Sequence, residues 1–191
     1  MGREAVGEVA VLVPVKSFAE AKVRLASALN RSDRAALARS MADRVVAAAN
    51  PLPVAVVCED DAVASWAKDR GAEVVWAPNR GLNGAVEDGV AWWAAQGASK
   101  VIVAHGDLPL ATSLAWVARF EGVTLVPDRR DDGTNVACVP TGRGFTFSYG
   151  PASFARHRAE TRRLQLPLHV VRQLSLAWDV DVPADLDYCD A

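Results

Sequence analysis

The first strong pattern in the chain is an unbroken apolar run, Val9 to Val15. Apolar residues without alternation mark a strand buried on both faces rather than one edge of a sandwich. Similar short runs recur at Val54 to Cys58, Glu73 to Trp76 and Lys100 to Ala104. Between them, apolar positions return every three to four residues, the helical period. This predicts a helical stretch over Ala19 to Leu29, and a longer helix capped by Ser32 that runs to Ala49 with Ala36, Leu37, Met41, Val45 and Val46 inward. It also predicts a helix over Ala62 to Asp69 ended by Gly71, and one over Leu82 to Gln96 that turns Val86, Val90 and Trp93 inward. The order βαβαβαβ predicts an α/β fold with a mainly parallel central sheet, right-handed crossovers and helices on both faces. The second half changes character, with β segments at Val123 to Pro127, Asn135 to Pro140 and Gly144 to Ser148, a helix from Pro151 to Leu164, and a strand from Leu168 to Leu174. These read as a small, partly antiparallel extension lying over the sheet, so residues 1–191 form a single domain.

Composition narrows the function classes. With 191 residues, 51% of them hydrophobic and 23% charged, one compact core is expected. A net charge of -2 argues against a polyanion-binding surface, so the expected partners are small molecules and not nucleic acid. Cys58, Cys138 and Cys189 are odd in number and lack zinc or disulfide spacing, which suits a reducing cytoplasm. No apolar run approaches the ~20 residues a membrane span needs, and Met1 to Glu8 lacks a signal peptide's basic flank and apolar stretch. A cytoplasmic protein without a membrane partner is expected.

Two acidic motifs carry the candidate chemistry: Gly106-Asp107-Leu108-Pro109 after the fourth strand, and Trp178-Asp179-Val180-Asp181-Val182-Pro183. In an extended segment Asp179 and Asp181 share one face, about 7 Å apart, while Val180 points the other way. With Asp107, these carboxylates form an all-oxygen set of the kind magnesium takes alongside substrate phosphates. Asp at a strand end is equally a turn former or helix N-cap, and either motif alone leaves both readings open. Ligands of open α/β sheets settle outside the carboxyl ends of the strands, which is where both motifs fall. Lys16, Lys22 and Arg24 follow the first strand and could cradle a phosphate chain or form a solvated helix face. No Walker loop or dinucleotide fingerprint is present, and Gly142-Arg143-Gly144 reads as a hairpin turn. At Gly150 and Ser153 a helix start would present unpaired amides to an anion; Arg156, Arg158, Arg162 and Arg163 beyond it read as a solvated face.

Together these segments resemble a known family. Val13-Pro-Val-Lys-x5-Ala-Lys-x-Arg-Leu, Gly81-Leu82-Asn83-Gly84-Ala85, Gly106-Asp-Leu-Pro, Pro127-Asp128-Arg129-x3-Gly133-Thr134-Asn135, Tyr149-Gly150-Pro151-x-Ser153-Phe154-x2-His157 and Asp179-Val-Asp-x-Pro-x-Asp185-Leu are similar to the 2-phospho-L-lactate or phosphoenolpyruvate guanylyltransferases of coenzyme F420 biosynthesis. The resemblance runs from about Val11 to Leu186; Gly84 stands where alanine is more usual.

The resemblance implies a GT-A-like nucleotidyltransferase that uses GTP as co-substrate and Mg²⁺ as cofactor to load a phosphorylated three-carbon acid. Asp107, Asp179 and Asp181 match the metal-coordinating aspartates. Thr134, Gly150 and Ser153 match positions that hold the acid. Lys16, Lys22 and Arg24 would face the triphosphate, Lys22 with a catalytic role, and Asn83 and Gly84 would lie near the base. A labile product implies a downstream F420-pathway transferase as partner, and exposed aromatic residues would suit a homodimer. A phosphate monoester is already largely ionised at neutral pH, its second pKa being ~6, so no dedicated base is required. A related magnesium-dependent enzyme using another nucleotide, or 3-phosphoglycerate, a molybdopterin or a sugar phosphate as acceptor, stays open, as does a noncatalytic nucleotide-binding regulator.

Overall fold

A computed structural model describes residues 8–190, the side chains of 188–190 excepted. The strands are β1 (Val9–Pro14), β2 (Val54–Cys58), β3 (Glu73–Trp76), β4 (Lys100–Ala104), β5 (Val123–Pro127), β6 (Thr134–Pro140) and β7 (Leu168–Val170). They form one seven-stranded sheet in the order β3-β2-β1-β4-β6-β5-β7. Only β6 runs against its neighbours, pairing antiparallel with β4 and β5. The expected extension therefore does not lie over the sheet: its strands continue it edge to edge, and Thr134 at the start of β6 reaches the rim where β4 ends.

The helices are α1 (Arg31–Ala48), α2 (Asp61–Asp69), α3 (Gly81–Ala95), α4 (Ser153–Arg163) and the short α5 (Leu174–Ala177). Both sheet faces are covered, as the unbroken apolar strands require. On β1, Val11 and Val13 join the core beneath α1 and α2, while Ala10 and Leu12 join the one beneath α3. Gly89 lets α3 approach β1: a Cβ there would lie 2.5 Å from Leu12 Cδ2. Trp66 and Trp93 are buried, and the Trp93 indole N–H donates to the Val11 carbonyl. Cys58 and Cys138 are buried free thiols; the Cys189 side chain lies outside the described residues.

Four local expectations change. Ala19 to Leu29 is not one helix but two 3-10 turns, Phe18–Glu20 and Val23–Leu25, because Lys22 between them is left-handed, with φ 54°. Helix α1 is capped by Asn30 rather than Ser32, its side chain accepting the Asp33 N–H. Gly144 to Ser148 forms no strand, because its N–H groups are taken by side chains: Thr146 donates to Glu160 and Ser148 to His157. The last strand stops at Val170, and α5 carries the chain back to the rim.

Candidate active site

A small third cluster fixes the site. Leu25, Met41 and Val180 are buried together, with Leu29, Leu37, Trp178 and Leu186 packed against them. Burial of each large apolar side chain is worth about 1.5 to 3 kcal/mol, enough to pin the turn after β1 against the second acidic motif. With Val180 anchored inward, its flanking aspartates face the cleft, as the alternation required. Asp185 then secures the segment: its fully buried carboxylate accepts the N–H groups of Asp181 and Val182, both at 2.9 Å, and pairs with Arg129 and Arg130. Arg129 in turn lies 3.7 Å over the Trp178 ring.

The aspartates gather around a lysine. Lys22 Nζ is 2.7 Å from Asp107 Oδ2 and 3.0 Å from Asp181 Oδ1. Burial alone would lower the Lys22 pKa, but the two carboxylates outweigh it and hold the ammonium above its ordinary value. Burial likewise works to raise Asp107, and the Lys22 charge overrides it, leaving that carboxyl below its usual range. Asp179 has no such cation: burial first, then the charges of Asp107 and Asp181, push it up to about 6. Left-handed backbone costs a non-glycine residue about 1 to 2 kcal/mol, so the strain at Lys22 is sustained by tertiary ion pairs that a local pattern cannot register.

These carboxylates can be tested as a cation site on their own atoms. Asp107 Oδ1 and Asp179 Oδ1 are both buried and without a hydrogen-bond partner, beside a locus already holding positive charge. All the donors are hard oxygens, the type that suits magnesium. In this conformation, however, no three acidic, imidazole or thiol groups among the described residues are close enough to hold one ion. Instead, Asp107 and Asp181 converge on the Lys22 ammonium, and Asp179 stands near enough to feel their charge. Lys22 is spent on carboxylates, whereas Arg24 is largely exposed, 3.9 Å from Asp181.

On one side of this junction lies a polar cavity of about 390 Å³, walled by Arg24, Asp107, Thr134, Gly150, Ser153, Asp179 and Asp181 among others. The three residues expected to hold the acid are therefore together, although they come from β6 and from the start of α4. Gly150 has φ 109°, a conformation that L side chains rarely adopt. Several amides around the start of α4 are taken within the fold: Ala152 and Phe154 donate to Asp132, and Ser153 to the Gly150 carbonyl. The hydroxyls of Thr134 and Ser153 remain as the groups suited to a ligand. Arg156 is no bystander on a solvated face, since it donates to the carbonyls of Ser148 and Tyr149.

On the other side, an apolar recess of about 230 Å³ is formed by Val57, Cys58, Ala77, Leu82 and Ala85, with Lys16 and Glu59 at its edge. Lys16 also lines a smaller recess of about 170 Å³ that reaches Lys22 and Asp107, so the two are joined along the end of β1. Asn83 and Gly84 are on neither wall. Asn83 Oδ1 accepts the Tyr149 N–H at 2.6 Å, tying α3 to the loop before α4, and Gly84 packs on Arg80. Their neighbours Gly81, Leu82 and Ala85 do line the apolar recess. Glu59 escaped the sequence reading because a lone acid after a strand resembles any turn residue; its Oε2 accepts the Asn79 N–H at 2.8 Å. Asp185 and His157 were present in the recognisable segments, but only the fold shows what they hold.

Comparison with known proteins shows the family. Residues 9–189 match the family described as guanylyl transferase, CofC like. A phosphoenolpyruvate guanylyltransferase from Sphaerobacter thermophilus is 36% identical over 185 residues, covering 92% of this chain and 89% of the relative. One from Streptomyces coelicolor is 37% identical over 188 residues, with 92% and 87% covered. Among solved structures, a proposed nucleotide-diphospho-sugar transferase from Desulfovibrio desulfuricans G20 has a TM-score of 0.74 at 14% identity, covering 95% of this chain and 86% of that one, a likeness of fold alone. Family match and relatives span nearly the whole chain, and the protein belongs to the CofC-like guanylyl transferases.

Proposed function

We propose that this guanylyltransferase moves GMP from GTP to phosphoenolpyruvate, releasing pyrophosphate, in the biosynthesis of coenzyme F420. The carrying observation is the Lys22, Asp107 and Asp181 junction, with Asp179 beside it, set between an apolar recess and a polar cavity. The apolar recess takes the guanine, with the Glu59 carboxylate as an acceptor for its N–H groups. The polar cavity takes the acid. Phosphoenolpyruvate, rather than 2-phospho-L-lactate, is favoured by the activity named for the relatives.

Joining two polyanions is opposed by repulsion, so the work of the site is charge and alignment. Lys16 and Arg24, both exposed at the cleft, are placed to screen triphosphate oxygens. Thr134 and Ser153 orient the acceptor's phosphate, which attacks as the dianion without needing a base. Asp107, Asp179 and Asp181 would hold Mg²⁺, which when bound neutralises phosphate charge. The acceptor cavity has carboxylates on several sides, so an anionic acid enters it only with cationic help. Incubation of the pure protein with Mg²⁺, each of the four NTPs, and phosphoenolpyruvate, 2-phospho-L-lactate or 3-phosphoglycerate tests the assignment by pyrophosphate release. Release is expected with GTP and phosphoenolpyruvate; release confined to ATP or CTP defeats the reading.

A further inference from the structure

We propose that His157 is a positioning residue that fixes the Thr134 hydroxyl as a hydrogen-bond donor to the phosphate of the acceptor. His157 is fully buried on α4, one turn after Ser153, with the Phe145, Phe147 and Tyr149 rings around it. The Ser148 backbone N–H lies 2.9 Å from His157 Nε2. An amide N–H can only donate, so Nε2 must present its lone pair, and the neutral ring then carries its proton on Nδ1. That nitrogen is 3.0 Å from Thr134 Oγ1. The hydroxyl oxygen accepts from the ring, and its own proton is left to turn toward the cavity it lines with Ser153.

The chain of donors thus has one direction: Ser148 N–H to Nε2, Nδ1–H to Thr134, and Thr134 O–H to an acceptor-only group. A phosphate oxygen is such a group. Burial, and then the nearby charges of His105 and Arg156, disfavour the imidazolium that would break the first step. The same histidine couples the two walls of the cavity, since Ser148 leads into Gly150 and Thr134 begins β6. The identity of the ligand rests on the phosphoenolpyruvate reading above; the polarity of the relay does not.

The test has a spectroscopic arm and a kinetic arm. In histidine-labelled protein, long-range ¹H–¹⁵N correlation at neutral pH is expected to show His157 protonated on Nδ1 alone. A ring protonated on Nε2, or on both nitrogens, overturns the proposal whatever the substrate proves to be. In the kinetic arm, His157→Asn can place an amide donor near the former Nδ1, whereas His157→Gln places its amide nearer the former Nε2. His157→Gln and Thr134→Val are expected to raise KM for phosphoenolpyruvate about tenfold with KM for GTP unchanged, the scale of one hydrogen bond to an anion. His157→Asn and Thr134→Ser should recover most of that loss. Equal changes in both KM values, or no difference between the Asn and Gln variants, mean that His157 only supports packing. If the wild-type chain releases no pyrophosphate with any acid, the acceptor assignment fails separately and the labelled spectrum still decides the relay.

Discussion

Replacing His157 should change how folding stability depends on pH, and the structure gives the sign and size. Burial first, then the charges of His105 and Arg156, with Glu160 opposing, bring its pKa down to about 4. In an unfolded chain the ordinary value is about 6.5, and each unit of difference is worth about 1.4 kcal/mol, so the linkage amounts to about 3 kcal/mol. Between those two values the unfolded chain binds a proton that the folded one refuses. Stability contributed by neutral His157 is therefore complete above about pH 6.5, falls as pH falls, and levels out below the folded value of about 4. Asp179, raised to about 6, works in the opposite direction over much of the same window, so the wild-type curve by itself would mislead. Urea denaturation of wild type and His157→Asn, stepped across the window without divalent ions, removes that term because Asp179 is common to both. The stability advantage of wild type over the variant should shrink by about 3 kcal/mol from neutral to acid pH. A difference that stays constant with pH refutes the claim that the fold holds this ring neutral.

Asp107→Asn, Asp179→Asn and Asp181→Asn should each abolish pyrophosphate release while circular dichroism stays native; near-normal turnover in all three would reject the cation assignment. Lys22→Ala leaves Asp107 and Asp181 facing one another without their cation, so melting should occur at lower temperature, and added Mg²⁺ should restore more of the loss than it adds to wild type. If Mg²⁺ gives no such recovery by scanning calorimetry, the ammonium and the ion do not share a locus. Glu59→Gln should weaken selection of GTP over ATP by about tenfold, the scale of one lost charge-assisted hydrogen bond; unchanged competition between the two nucleotides would remove Glu59 from base recognition.

The unbroken apolar strands and helical spacing between them were sufficient for the parallel half of the sheet, because burial on both faces leaves the same mark wherever such a strand lies. Alternation around Val180 likewise told which way Asp179 and Asp181 face, and the ordered set of short segments pointed to the guanylyl transferases. What the sequence could not reveal depended on partners distant along the chain. Lys22 breaks a helical pattern because Asp107 and Asp181 hold it in a left-handed turn. Gly144 to Ser148 reads as a strand by its residues, yet its amides go to Glu160 and His157. Asn83 reads as a ligand contact, and only the fold shows that its Oδ1 accepts the Tyr149 amide N–H. Local periodicity records which face of a residue is buried; which atom satisfies a given charge or donor is decided only when β1, β4, β6 and the final acidic segment meet at one rim.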